Sequence, residues 1–164
     1  MSVAYKIGMG YDIHRLVKGR RLVLGGVTVP YAKGLTGHSD ADCLLHAICD
    51  ALLGAIGEGD IGEHFPNTDK RYKNISSLVF LKKVKSLVGS RGFKIGNIDS
   101  VILAEKPHLK NFKPKMRATI AGALGIPVAH VNVKATTQEG VGFGSVKEAI
   151  AAYAIALLVK SIKE

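Results

Sequence analysis

Two short stretches hold the residue types best suited to chemistry. In Gly10-Tyr11-Asp12-Ile13-His14, a carboxylate and an imidazole stand two residues apart. At the end of a strand, where side chains alternate, Asp12 and His14 share a face. The second stretch begins Gly37-His38-Ser39-Asp40-Ala41-Asp42 and runs on to His46. Asp12, His14 and His46 together make a three-ligand set for a divalent cation. Neutral imidazole with carboxylate suits zinc, and three protein ligands leave a fourth position for water or substrate. The competing reading is three ordinary polar residues at a strand end and on a helix face.

The elements that must position these groups follow from periodicity. Leu45, Ile48, Cys49, Leu52 and Leu53 recur at three- and four-residue steps, which predicts a helix over about 40–56. Asp42, His46 and Asp50 lie four apart and share its second face. Ser39 and Asp42 have capping-box spacing, and the polar, glycine-led N-terminus is a natural seat for an anion. A first strand is expected over 3–13. Leu22-Val23-Leu24 and Val27-Thr28-Val29 flank Gly25-Gly26, a hairpin signal. Gly57 to Gly62 reads as a glycine-rich loop continuing through Phe65-Pro66-Asn67-Thr68-Asp69. Helices are expected over about 75–90 and 112–124, the latter stopped by Gly125 and Pro127. Between them, residues 93–105 give a strand apolar on both faces and therefore central in a sheet. Val131 to Thr136 alternates and leads into Thr137-Gln138-Glu139 and a glycine-rich turn. Ser145 and Glu148 form a second capping box. The final stretch, about 146–162, is apolar on most faces and reads as a buried helix.

A chain of 164 residues suits one domain spanning 1–164. The longest apolar run is far short of a membrane span, and the N-terminus lacks the apolar region of a secretory signal. A cytoplasmic protein is expected, or one from a plastid-type organelle if a leader has been trimmed. Cys43 and Cys49 point in different directions on one helix, so both are expected to be reduced. The net charge of +10 points to an anionic partner, either nucleic acid or a phosphorylated small molecule. Aromatics make up only 6% of the chain and do not interleave the basic residues, which argues against a base-stacking surface.

Taken together, Gly10-Tyr11-Asp12-Ile13-His14, Leu24-Gly25-Gly26-Val27, His38-Ser39-Asp40-Ala41-Asp42, His46-Ala47, Asp50-Ala51-Leu52-Leu53-Gly54-Ala55, Gly59-Asp60-Ile61-Gly62, Phe65-Pro66-Asn67-Thr68-Asp69 and Asn132-Val133-Lys134-Ala135-Thr136-Thr137-Gln138-Glu139 resemble the 2-C-methyl-D-erythritol 2,4-cyclodiphosphate synthase family. The resemblance covers essentially the whole chain. It implies an α/β (α+β) domain with a mixed sheet, helices packed on one face and a small hairpin, assembled as a homotrimer with active sites between subunits. It also implies the reaction. The 2-phosphate of 4-diphosphocytidyl-2-C-methyl-D-erythritol 2-phosphate attacks the β-phosphorus, CMP leaves, and a cyclic diphosphate of the non-mevalonate isoprenoid route forms.

By resemblance, Asp12, His14 and His46 bind zinc, while Glu139 serves magnesium or manganese on the diphosphate. His38 and Thr137 stabilise the transition state, and His38 and Ser39 form a phosphate-binding turn. Asp60, Ile61 and Gly62, with Phe65, Asn67, Thr68 and Asp69, surround the methylerythritol. Ala104, Lys106, Pro107, His108, Leu109 and Lys110 form the cytidine pocket. Lys134, Thr136, Gln138 and Phe143 complete the substrate contacts, and Asp50 supports the helix bearing His46. No nucleic acid or membrane partner is implied. The chain departs from the family pattern at Asn67, where an acid is usual, and at Val146, where an arginine that faces a central trimer cavity is usual. Lys147 is the one neighbouring substitute for that charge. Two other functions carry distinct expectations: a zinc phosphohydrolase on the same scaffold would yield a linear product, and a basic RNA-binding module would bind RNA with steep salt dependence.

Overall fold

The computed structural model describes residues 2–139 and 148–162. A five-stranded sheet has the order β4-β1-β7-β5-β6, built from β1 (Ser2–Lys18), β4 (Lys33–Leu35), β5 (Lys94–Leu103), β6 (Val131–Thr136) and β7 (Ala149–Ile162). β5 and β6 run parallel and the other pairs antiparallel. The sheet is therefore mixed, and β5 is interior, as expected. β2 (Leu22–Leu24) and β3 (Val27–Val29) form the separate hairpin. Gly25 and Gly26 both have positive φ (58° and 73°), which the tight turn between twisted strands demands.

Helices α1 (Cys43–Ile56), α3 (Ser77–Ser90) and α4 (Lys113–Leu124) follow the apolar periodicity closely. Gly57 and Gly125 end α1 and α4 in the left-handed conformation. Within the loop expected over 57–62, Asp60 caps a short helix, α2 (Ile61–His64), by accepting from the Glu63 N–H at 3.0 Å. One turn of helix needs only a good cap, and the glycines set its boundary rather than forbidding it. The first strand also runs five residues beyond its expected end, because Leu16–Lys18 pair with β4.

The largest correction concerns the C-terminal segment. Residues 149–162 form a long strand, not a helix. Ile150, Ala152, Ala154, Ala156 and Leu158 are buried, while Tyr153 and Ile155 are exposed. Both faces of this strand are apolar, so the period of two vanishes from the sequence, and its alanines add helix propensity that tertiary packing overrides. The capping box at Ser145 and Glu148 involves a residue outside those described.

Small residues on β1 and β7 explain how α1 lies on the sheet. Gly8 pairs with Ala156, and Gly10 with Ala154. A Cβ at Gly8 would stand 1.9 Å from the Ala51 carbonyl oxygen, and one at Gly10 would stand 1.9 Å from that of Ala47. The helix backbone rests directly on these glycines. The opposite face of the same two strands carries Tyr5, Ile7, Met9, Tyr11, Ile13, Tyr153 and Ile155, all exposed. Tyr11 and Tyr153 pair across the strands with ring centroids 4.6 Å apart. No helix among the described residues is long and apolar enough to cross a membrane.

Candidate metal centre

Because side chains alternate along β1, Asp12 and His14 extend from the face that carries Gly8 and Gly10. α1 runs antiparallel to β1 over that face, with Ala51 above Gly8 and Ala47 above Gly10. His46, one residue before Ala47, therefore arrives above Asp12. Asp12 Oδ2 lies 2.8 Å from His14 Nε2 and 2.9 Å from His46 Nδ1, and the two ring nitrogens are 3.2 Å apart. Among the described residues this is the group of histidine and acidic side chains able to share an ion.

The donor set fits a divalent metal. Ligand distances of about 2.0–2.1 Å in a tetrahedral site put neighbouring donors about 3.3 Å apart. The observed triangle is only slightly tighter, a gap that small side-chain rotations close. Burial opposes charge on both Asp12 and His46, yet their mutual interaction prevails. The two imidazoles hold the Asp12 carboxyl far below the usual carboxylate range, and the Asp12 carboxylate keeps His46 above the usual imidazole value.

The N-terminus of α1 is not an open anion seat, contrary to expectation. Asp42, fully buried, fills it as the N-cap. Its carboxylate accepts from Leu45 N–H at 3.1 Å, from Gly25 N–H at 2.9 Å and from Gly26 N–H at 2.6 Å. Burial still raises its pKa, despite those donors. Nor does Ser39 cap the helix. Its hydroxyl instead accepts from Ala41 N–H at 3.2 Å and faces His46 Nε2 at 3.3 Å. Asp50, on α1, accepts from Ile61 N–H at 2.7 Å and so ties the following loop to the helix that bears His46.

A cavity of about 190 Å³ opens in front of the three ligands. It is lined by His38, Ser39, Ile61, Gly62, Phe65 and Asn67 from the sequence-derived set, and also by Gly37, Tyr72 and Phe80. Phe65 stacks on Phe80 at 4.5 Å, with Tyr72 edge-on to both, which makes one apolar wall. His38 Nε2 donates to the Asp69 carbonyl at 3.0 Å, joining the His38–Ser39 turn to the loop. Asp60, Thr68 and Asp69 lie outside this lining. Asp60 caps α2, and Asp69 binds Arg71, which holds its carboxyl below the usual range.

A second cavity, of about 260 Å³, lies between the ends of β5 and β6 and the start of α4. Ala104, Pro107, His108, Leu109, Lys110, Thr136 and Thr137 line it, as does Lys113, which sequence reasoning missed. Lys106 reaches back to His108 at 3.0 Å. Thr137 Oγ1 donates to the Glu139 carboxylate at 2.5 Å, and Gln138 N–H donates to Glu105 at 2.7 Å. Lys134 pairs with Asp99 at 2.5 Å on the outer face of the sheet. The two cavities share no lining residue. Phe143, Val146 and Lys147 lie outside the described residues.

Sequence reasoning also missed Ser77 and the role of Asp40. Ser77 Oγ is 2.8 Å from His46 Nε2 and donates to Asp40 Oδ1 at 2.5 Å. Ser76-Ser77 ahead of an apolar helix signals a cap, and Ser76 is that cap. Only the approach of α3 to α1 reveals what Ser77 touches.

Several known proteins resemble this chain along nearly its whole length. A 2-C-methyl-D-erythritol 2,4-cyclodiphosphate synthase of Alkaliphilus oremlandii is 56% identical over 156 residues, covering 95% of this chain and 99% of its own. Its counterpart in Desulfosudis oleivorans is 57% identical over 155 residues, covering 94% and 92%. Among solved structures, the bifunctional IspDF of Campylobacter jejuni superposes with a TM-score of 0.92 at 41% identity, covering 98% of this chain and 43% of that larger one. A CDP-bound 2C-methyl-D-erythritol-2,4-cyclodiphosphate synthase superposes with a TM-score of 0.86 at 36% identity, covering 93% of this chain and 99% of that one. The YgbB family model matches residues 5–159, nearly the whole chain, and the chain belongs to the YgbB family.

Proposed function

We propose that this chain is a 2-C-methyl-D-erythritol 2,4-cyclodiphosphate synthase. It converts 4-diphosphocytidyl-2-C-methyl-D-erythritol 2-phosphate to the cyclic diphosphate and CMP; the names of its relatives give the same cyclodiphosphate as their product. An oxygen of the substrate's 2-phosphate forms a bond to the β-phosphorus. The bond from that phosphorus to the bridging oxygen breaks, and CMP departs with the electron pair. The nucleophile is already an anion, so positioning and charge compensation carry the catalysis, with no strong base required.

The observation that carries this reading is the convergence of Asp12, His14 and His46 at the mouth of a cavity with an apolar wall. A zinc ion held there would supply Lewis-acid polarisation of a phosphate oxygen. His38 and Ser39 grip the same phosphate. Phe65 and Ile61 pack against the methylerythritol, with Asn67 neutral at its rim. In the second cavity, backbone groups of residues 104–110 read the cytosine, and Thr137 steadies the diphosphate. Glu139, exposed beside Thr137, suits a hard ion such as magnesium or manganese shared with phosphate oxygens.

The two cavities are brought to one substrate by assembly. The exposed apolar face of β1 and β7 is far larger than scattered surface residues, and such a face marks a protein interface. Three copies packed through these faces would set the metal cavity of one against the second cavity of its neighbour. The test is to incubate zinc- and magnesium-loaded protein with the substrate and follow phosphorus NMR. Cyclic diphosphate and CMP should appear in equal amounts and vanish in His46→Ala. A linear product would instead mean hydrolysis and would overturn the reading.

A further inference from the structure

The hydrogen bonds behind His46 fix which of its nitrogens faces the ligand group. The Asp40 carboxylate collects three donors: Ser77 Oγ–H at 2.5 Å, Ser77 N–H at 3.0 Å and Asp42 N–H at 3.3 Å. An ionised carboxylate only accepts, so the single hydroxyl proton of Ser77 is committed to Asp40. Toward His46, Ser77 Oγ can then only accept. His46 Nε2, 2.8 Å away, must carry the proton and donate it. Nδ1 faces Asp12 Oδ2 and His14 Nε2, and a cation bound there would take its lone pair, with any proton on Nδ1 released.

Ser77 is fully buried and belongs to the first turn of α3, whose N-terminus Asp40 also clamps. The clamp extends through the backbone, where Asp40 N–H donates to the Ile75 carbonyl at 3.0 Å. The other hydroxyl near His46 Nε2, that of Ser39, is more distant at 3.3 Å. Ser77 is thus the nearer of the two acceptors, and it is held by two elements at once.

We propose that Ser77, oriented by Asp40, is a positioning residue that sets the tautomer and ring plane of His46 and so tunes the affinity of the Asp12–His14–His46 group for its cation. The inference rests on that group holding a metal ion. Side chains behind metal-bound histidines commonly change metal affinity by 10–100-fold when removed.

The test is a zinc competition titration against a chromophoric chelator on the full chain, comparing the unsubstituted protein with Ser77→Ala, Ser77→Cys and Ser76→Ala. Cysteine keeps the volume but is a poor acceptor, so it guards against a cavity artefact or a failure to fold in the alanine variant. Ser76 caps the same helix through Leu78 N–H without touching His46, and its replacement reports what loosening α3 alone does. Both Ser77 variants should bind zinc at least tenfold more weakly, and Ser76→Ala within twofold of the unsubstituted chain. In the zinc-loaded protein, long-range proton–nitrogen NMR should show the His46 ion on Nδ1 and the proton on Nε2. If the unsubstituted chain fails to bind zinc, the metal reading falls and this inference with it. If it binds but the Ser77 variants bind equally well, if Ser76→Ala costs as much, or if Nε2 is the ligand, only the inference falls.

Discussion

Replacing Gly10 with alanine tests whether the helix really rests on the strand's backbone. The added Cβ would meet the Ala47 carbonyl oxygen at 1.9 Å and the Ala51 nitrogen at 2.7 Å. Both are backbone atoms, so no side chain can swing aside. Restoring an ordinary separation of 3.4 Å requires α1 to lift by about 1.5 Å at this point. Overpacking of this kind costs about 1–3 kcal/mol. The larger effect falls on the ion. Metal sites tolerate displacements of about 0.2 Å, and His46 adjoins the residue being pushed. Zinc affinity should fall at least tenfold, which corresponds to about 1.4 kcal/mol or more. Gly8 meets Ala51 one turn farther from His46, so Gly8→Ala should lose similar stability but less affinity. Gly122 has open space around it in α4, and Gly122→Ala serves as the control. Urea midpoints and chelator competition measure the two quantities separately. The reasoning fails if Gly10→Ala keeps normal stability and affinity, or if Gly8→Ala costs the ion as much as Gly10→Ala does.

Removing the Asp42 carboxylate leaves three N–H groups without their acceptor, so Asp42→Ala should lose about 3–5 kcal/mol in a urea titration. In metal-free protein, the lowered Asp12 contributes stability that is present above about pH 3.9 and lost as pH falls through its folded value. The raised His46 contributes stability that is complete below about pH 6.5 and lost as pH rises through its folded value. Melting temperature should therefore fall from about pH 6.5 upward, and saturating zinc should abolish that fall, as scanning calorimetry would show. Met9→Glu places a charge in the middle of the exposed apolar face and should convert a trimer to monomers at micromolar concentration in light scattering. An unchanged mass would refute this face as the interface.

The parts of the metal group were legible in local patterns, but that His46 meets Asp12 and His14 was decided only by the family resemblance, since their meeting depends on α1 resting on Gly8 and Gly10. A period of two places Asp12 beside His14, and a period of 3.6 places His46 on a helix. The hairpin, the three long helices and the strands β5 and β6 were legible from local pattern and turn residues, while the parallel pairing of β5 with β6 and the short helix α2 were not. The C-terminal strand was not, because burial on one face and an apolar surface on the other leave no contrast to read. The capping residue of α1 was misassigned for a different reason. Ser39 and Asp42 both suit a cap, and the choice was decided by Gly25 and Gly26, far away in sequence, which supply Asp42 with two further donors. Ser77 escaped notice because its role exists only where α3 meets α1.

The hairpin turn at Gly25-Gly26 offers a lesson for engineering. Turn tips are the usual places to graft peptides or open a chain for permutation. Here the tip is packed under α4, with Met116 and Thr119 close against it, and its amides are tethered to the acid that starts α1. An insertion there would unfasten the helix that delivers His46. The bend at Gly19, exposed and with nothing near it, is the tolerant site for such a graft.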